Sequence, residues 1–175
     1  TAAAVAQTAA GCDYVSDGRF VLGLGASGPQ VIEGFHGVPY HKPLTRIREY
    51  IEVCRMAWKR ERLVYDGDVV RLPLPEGEGL GLGKALKLIN HPVRESIPIF
   101  WASVKGKSVA ETARLADGWL PIFYDPVRAG DVWGDDLERG LAERSTELGP
   151  LQISAGGALA IGDEFAGDGA LMGAC

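Results

Sequence analysis

An alternation of element types constrains this chain more than any other feature. Short apolar runs bounded by turn residues recur four times, at Arg19 to Leu24, Ile97 to Ser103, Gly118 to Tyr124 and Gln152 to Ile161. Each reads as a buried strand, with Phe20, Val21 and Leu22 of the first covered on both faces. Helical stretches separate them. Ala2 to Tyr14 is Ala-rich, and Ala has the highest helix propensity. From Pro43 to about Arg60, Leu44, Ile47, Ile51, Cys54 and Trp58 recur at helical spacing, with Pro43 suited to a first helical position. Lys107 to Ala116 places Val109, Thr112, Ala113 and Ala116 on one face. Asp125 to about Leu148 is helical but broken by Gly130, Gly134 and Gly140. Such alternation predicts an α/β fold, a parallel sheet covered by helices with right-handed connections.

The remaining segments are connectors. Ser16-Asp17-Gly18 is a turn. Gly25 to Tyr40 carries too many breakers for a long helix and reads as a structured loop. Leu63 to Leu72 holds a hairpin signal around Tyr65-Asp66-Gly67-Asp68. Pro73 to Gly83 is a Pro/Gly-rich loop, and Leu86 to Ile89 is a candidate strand extension. One domain is expected over residues 1–164, with a poorly ordered Gly/Ala-rich tail over 165–175. Four strands cannot close an eight-stranded barrel, which takes about 250 residues. A four-stranded wall would leave two open edges and one bare face, which invite pairing with another copy. The chain thus reads as a fragment, as a half barrel that dimerises, or as an open α/β sheet. It starts with Thr1 inside a helix, so a preceding segment is expected.

Composition narrows the function classes. With 46% hydrophobic and 23% charged residues, the chain is an ordinary globular one. Its net charge of -5 and lack of a basic run give no general attraction for nucleic acid or anionic membrane. The apolar runs are too short for a membrane span, and no signal peptide is visible. Cys12, Cys54 and Cys175 are odd in number and widely spaced, against a disulfide framework or a zinc site, and a reducing cytoplasm fits. His36, His41 and His91 have no metal-ligand spacing.

Four places can carry chemistry. Gly23-Leu24-Gly25-Ala26-Ser27-Gly28 matches G-x-G-x-x-G after a strand, but a dinucleotide fingerprint needs a helix from its second glycine. Pro29, Gly34, Gly37 and Pro39 follow instead, so a plain Gly-rich turn competes with a ligand loop. Ala102 to Ser108 joins a strand to a helix, at the face where barrels place their active sites. Free N–H groups there, with Ser103, Lys105, Lys107 and Ser108, make a phosphate cradle; the competing reading is a solvated loop. Trp119 reads as core more readily than as a ligand wall, and Asp117 as a cap or turn residue. Glu33, His36 and His41 could face a substrate, against a surface or packing role. No G-x-S-x-G, H-E-x-x-H or Ser-His-Asp order points to a hydrolase.

Taken in order, Ser16 to Gly28, Pro29 to Tyr40, Lys42 to Val53, Gly83 to Val93, Ile97 to Phe100 and Ala116 to Phe123 resemble the luciferase-like monooxygenase superfamily. The resemblance is nearest to its branch dependent on coenzyme F420, a 5-deazaflavin, and runs from about residue 5 to 164. It implies a partial (β/α)8 TIM barrel supplying the fourth to seventh strands. It implies an oxidoreductase that moves a hydride between F420 and an organic small-molecule substrate, the protein supplying position and electrostatics, or alternatively an FMN-dependent monooxygenase. A catalytically silent half barrel that oligomerises or binds a ligand is the alternative. Ala26, Ser27 and Gly28 resemble the loop beside the ring. Ser103, Val104, Lys105, Gly106 and Lys107 resemble the cradle of the ribityl chain and phosphate. Val104-Lys105-Gly106-Lys107 stands where the family usually has Gly-Pro-Lys. Pro29 replaces the Glu of the sugar-phosphate dehydrogenases, which disfavours that substrate. No catalytic side chain is assigned, and a homo-oligomer is expected.

Overall fold

The computed structural model describes residues 1–156. In chain order the elements are α1 (Ala2–Val15), β1 (Leu22–Gly25), α2 (Pro29–Gly34), α3 (Pro43–Trp58), β2 (Tyr65–Asp66), β3 (Arg71–Leu72), β4 (Ile99–Ala102), α4 (Gly106–Leu115), β5 (Gly118–Leu120), α5 (Ala129–Ala142), a 3-10 turn (Thr146–Leu148) and β6 (Gln152–Ile153). β1, β4, β5 and β6 lie side by side in that order, every neighbouring pair parallel. β2 and β3 form the expected antiparallel hairpin.

Cα register divides the sheet into two faces. Leu22, Leu24, Ile99, Trp101 and Trp119 share one; Gly23, Gly25, Phe100, Ala102, Gly118 and Leu120 share the other. The first face meets the helices. Leu22, Ile99 and Trp101 join one buried cluster with Ala6, Ala9 and Ala10 of α1 and Ile47, Ile51, Cys54 and Trp58 of α3. Small Ala side chains let α1 approach α3 closely, and the indole N–H of Trp58 donates to the Ala6 carbonyl at 3.0 Å. On the second face, side chains meet other strands. A Cβ on Gly118 would come within 2.6 Å of the Phe100 ring, and one on Gly23 within 3.6 Å of Leu120. Among the described residues helices cover one face only, which makes this a piece of barrel wall and not a doubly wound sheet, covered on both.

Several element bounds differ from those expected. The first strand begins at Leu22, not Arg19, and burial on both faces fails because Val21 is 44% exposed on an uncovered flank. The third stops at Leu120, because Pro121 has no N–H to continue the ladder. Leu86 to Ile89 is not a strand. Its carbonyls are instead taken by the end of the α3 segment, Leu63 N–H donating to Leu86 at 2.8 Å and Arg60 Nε to Leu88 at 3.4 Å. A short helix, α2, forms within the expected loop, opened by Pro29. The stretch expected to be helical from Asp125 to Leu148 is ordered as α5, a break, and the 3-10 turn. The last strand covers Gln152–Ile153; its expected continuation to Ile161, the boundary at 164 and the tail over 165–175 lie outside the described residues.

Buried charges clip the connections to this frame. Asp13, fully buried, receives Arg94 through two nitrogens, and the same guanidinium donates to the Phe20 carbonyl at 2.6 Å. Glu49, 2% exposed, accepts N–H bonds from Asp68, Val69 and Val70 at 2.7 to 2.9 Å, fixing the hairpin turn to α3. Gly67 is required there, since a Cβ would lie 2.6 Å from that carboxylate. Asp117 accepts from Ile99 N–H at 2.9 Å and from Arg55 at 3.2 Å, so it ties β4 to α3, a structural role as its sequence position implied.

Burial also separates the thiols. Desolvation pushes the Cys54 thiol up to about 12, while Cys12 is exposed. In a Cys175→Ser variant at pH 8, Ellman's reagent should therefore titrate Cys12 in the folded chain and Cys54 only after denaturation. Prompt modification of both in the folded chain would contradict the α1–α3 packing.

Candidate functional site

Because β1 and β4 are adjacent and parallel, the loops leaving them emerge on the same edge of the sheet. Between these loops lies a cleft of about 720 Å³. Ala26, Ser27, Ser103, Val104, Lys105, Gly106 and Lys107 all line it. Gly28, the remaining residue expected from sequence, is not among its lining residues and stands at the N-cap of α2 in extended conformation. The helix demanded by a dinucleotide fingerprint does not start at Gly25, so that reading fails on geometry.

The loop after β1 is braced. Ser27 adopts a left-handed φ of 55°, a conformation a non-glycine residue keeps only where its surroundings impose it. The hydroxyl of Tyr40 supplies the constraint by donating to the Ser27 carbonyl at 3.1 Å. Tyr40 is held in turn by its N–H donating to Glu33 Oε1 at 3.0 Å. Glu33 therefore shapes the loop. Tyr40 was not singled out by sequence reasoning; its position between Pro39 and His41, in a segment without periodicity, gave no signal beyond being an aromatic residue among breakers.

On the other side of the cleft, the first intrahelical bond of α4 runs from Val109 N–H to the Lys105 carbonyl at 3.0 Å. The N–H groups of Gly106, Lys107 and Ser108 find no acceptor among the described residues, and no side chain caps them. They carry the positive end of the helix dipole and suit an anion. Exposed Lys105 and Lys107 add charge beside them. The serine hydroxyls contribute less than expected. Ser108 Oγ donates to the Lys105 carbonyl at 2.6 Å, and buried Ser103 lies 2.8 Å from Thr112 Oγ1. Since the Thr112 proton goes to the Ser108 carbonyl at 2.7 Å, Ser103 is the donor of that pair. Two indoles anchor the loop from beneath: Trp119 donates to the Ser103 carbonyl at 3.0 Å and Trp133 to the Val104 carbonyl at 2.9 Å. Trp119 is thus core, as its entry into a strand implied, and Trp133 is an anchor that sequence reading missed.

A neighbouring cavity of about 370 Å³ shares Gly25, Ala26, Tyr40 and Pro43 with the cleft and is lined by His36 and His41. The histidines therefore stand next to the Ser103–Lys107 loop and not in it. His36 packs edge-on against Phe35.

The described residues thus bring together three free backbone donors, two lysines and a rigid floor, with the Asp136 carboxylate close beside Gly106. If the Ser103 hydroxyl serves the fold and not the cleft, Ser103→Ala should lower stability to urea by about 1 kcal/mol. A loss above about 3 kcal/mol, or none, would contradict the bonding described.

Residues 1–166 match the family model described as luciferase-like monooxygenase. Over 144 residues the chain is 51% identical to a Mycobacterium tuberculosis protein named "Putative coenzyme F420-dependent oxidoreductase", covering 81% of this chain and 41% of that one. It is 30% identical over 129 residues to the 5,10-methylenetetrahydromethanopterin reductase of Archaeoglobus fulgidus, covering 74% and 34%. Among solved structures, the coenzyme F420-dependent tetrahydromethanopterin reductase of Methanopyrus kandleri superposes with a TM-score of 0.71 at 20% identity, over 88% of this chain and 45% of that one. An F420-dependent secondary alcohol dehydrogenase with an F420-acetone adduct gives 0.70 at 18% identity, over 89% and 44%. The chain spans less than half the length of these relatives. The likeness supports the barrel-wall fold.

Proposed function

The chain belongs to the luciferase-like monooxygenase family, and from that premise we propose that it carries the phosphate-holding part of a coenzyme F420-dependent oxidoreductase. The reaction is hydride transfer between the deazaflavin and an organic small molecule. One observation carries the reading: loops 78 residues apart in sequence, at Ala26 and Val104, converge on a single cleft whose far wall is an uncapped helix N-terminus. The residues present fit the phosphate end of the group. Gly106, Lys107 and Ser108 N–H groups would bind the phosphate oxygens, Lys105 and Lys107 would neutralise their charge, and the Ala26–Ser27 backbone, locked by Tyr40, would border the ring. When bound, the deazaflavin supplies the hydride-carrying carbon, and this chain holds and orients it.

A relative 51% identical that is named for F420 favours that cofactor over FMN, whose ribityl phosphate the same donors would also suit. Among the described residues one sheet face is uncovered and β1 and β6 are edge strands, which favours a homo-oligomer, or a silent half barrel that only associates. We take residues 1–164 as one domain. Among the described residues no helix is long and apolar enough to cross a membrane, and the unpaired thiols of Cys12 and Cys54 fit a reducing cytoplasm.

Fluorescence titration of the purified chain with F420 and with FMN tests the proposal. Saturable F420 binding is expected, weakened about fivefold by Lys105→Ala, the effect of one exposed charge on a phosphate. Ser103→Ala should leave affinity within about twofold, because its hydroxyl points into the fold. Failure to bind either ligand would favour the silent reading.

A further inference from the structure

We propose that the cavity between α1, α2 and α3 is a binding site for a small monocarboxylate with an apolar chain. The inference is independent of the coenzyme reading, since it calls on other side chains and another ligand.

The cavity holds about 370 Å³, at the lower end of the range of small-molecule sites, about 300 to 1,000 Å³. Its walls are mostly apolar, with Val5 of α1, Leu24 of β1, Ile32 of α2 and Ile47 of α3 among them. Its polar groups are of one kind. Arg46, His36, His41 and Tyr50 line the cavity, and each can donate a hydrogen bond. No Asp or Glu lines it. Glu33, in the same segment as the histidines, is engaged by the Tyr40 N–H at 3.0 Å. A hollow lined in this way attracts anions locally, although the chain as a whole carries a net charge of -5.

Arg46 carries the argument. It is half-buried, yet its guanidinium forms no ion pair and no hydrogen bond among the described residues. Arg55, Arg60, Arg94, Arg114 and Arg144, also half-buried, each donate to a carbonyl or a carboxylate. Arg48, likewise unpaired, shares its groove with Glu111. Withdrawing a cation from water without an acceptor is unfavourable. Arg46 also stands in the first turn of α3, at the positive end of the helix dipole, in a turn with no acidic residue. A bound anion relieves both. The guanidinium fork matches a carboxylate through two parallel hydrogen bonds, and the apolar walls suit the hydrocarbon chain behind it. Gly25, Ala26 and Tyr40 form a wall common to this cavity and the larger cleft, so the acid lies beside that cleft and not in it.

Isothermal titration calorimetry of the purified chain with octanoate, below its micellar concentration, tests the site. Saturable binding is expected. Octan-1-ol has the chain without the charge and should bind about tenfold more weakly; acetate has the charge without the chain and should not saturate. Arg46→Gln should bring octanoate down to the affinity of octan-1-ol, with an unchanged circular dichroism spectrum. Lys59→Gln removes the same charge at the other end of α3, where the side chain is exposed, and should leave octanoate affinity within about twofold. Should Arg46→Gln fail to fold, the octanoate and octan-1-ol pair on the unaltered chain decides alone. Equal affinity for those two, octanoate binding that survives Arg46→Gln, or no octanoate binding at all would overturn the site, and none of these outcomes bears on the F420 titration.

Discussion

Parallel strands must each find a neighbour for their backbone and a helix for their side chains, and this sheet meets the second demand on one face only. Leu22, Ile99, Trp101 and Trp119 go under α1, α3 and α5, while Gly23, Gly25, Ala102 and Leu120 face the other way. That asymmetry decides everything downstream. It identifies the sheet as barrel wall, while the parallel direction of the strands sets the β-to-α loops on one rim. It also keeps the strand positions nearest the cleft small, Gly25 and Ala102 lying with Cβ-to-Cβ contact distance of 3.5 Å if Gly25 carried a Cβ.

Stability and site are built from the same parts. Trp119 of the helix-facing side and half-buried Trp133 of α5 donate to carbonyls of the Ser103–Val104 loop, so packing fixes the loop that would hold a phosphate. Each fully buried Trp contributes about 3 kcal/mol through area removed from water, and Trp119 adds a polar contact to the cradle at no further cost in chain ordering. Thr112 of α4 does the same, accepting from the Ser103 hydroxyl and donating to the Ser108 carbonyl. A cradle held this way needs little rearrangement to receive an anion, which is the condition for electrostatic preorganisation.

Much of the fold was legible in the sequence, because its signals are local. The Ile47, Ile51, Cys54, Trp58 spacing is a helix face, and the strand cores between glycines have few other readings. Strand ends were not legible: Val21 and Ile122 look like strand residues, and only the missing cover and Pro121 stop them. The site was legible as two loops, Ala26 to Gly28 and Ser103 to Lys107, but their meeting depends on the β1–β4 pairing across 77 residues, from Leu22 to Ile99. The direction of the serine hydroxyls, the Tyr40 brace and the Trp133 anchor depend on that pairing too, and no local pattern encodes them.

The central claim is that a phosphorylated deazaflavin docks on the N-terminus of α4. Amide chemical-shift mapping of the ¹⁵N-labelled chain on adding F420 tests it most directly. The account predicts the largest shifts at Gly106, Lys107 and Ser108, with smaller ones at Ala26 and Ser27 and little change across β2 and β3. Shifts concentrated instead around His36, His41 and Arg46, with the α4 amides silent, would contradict it.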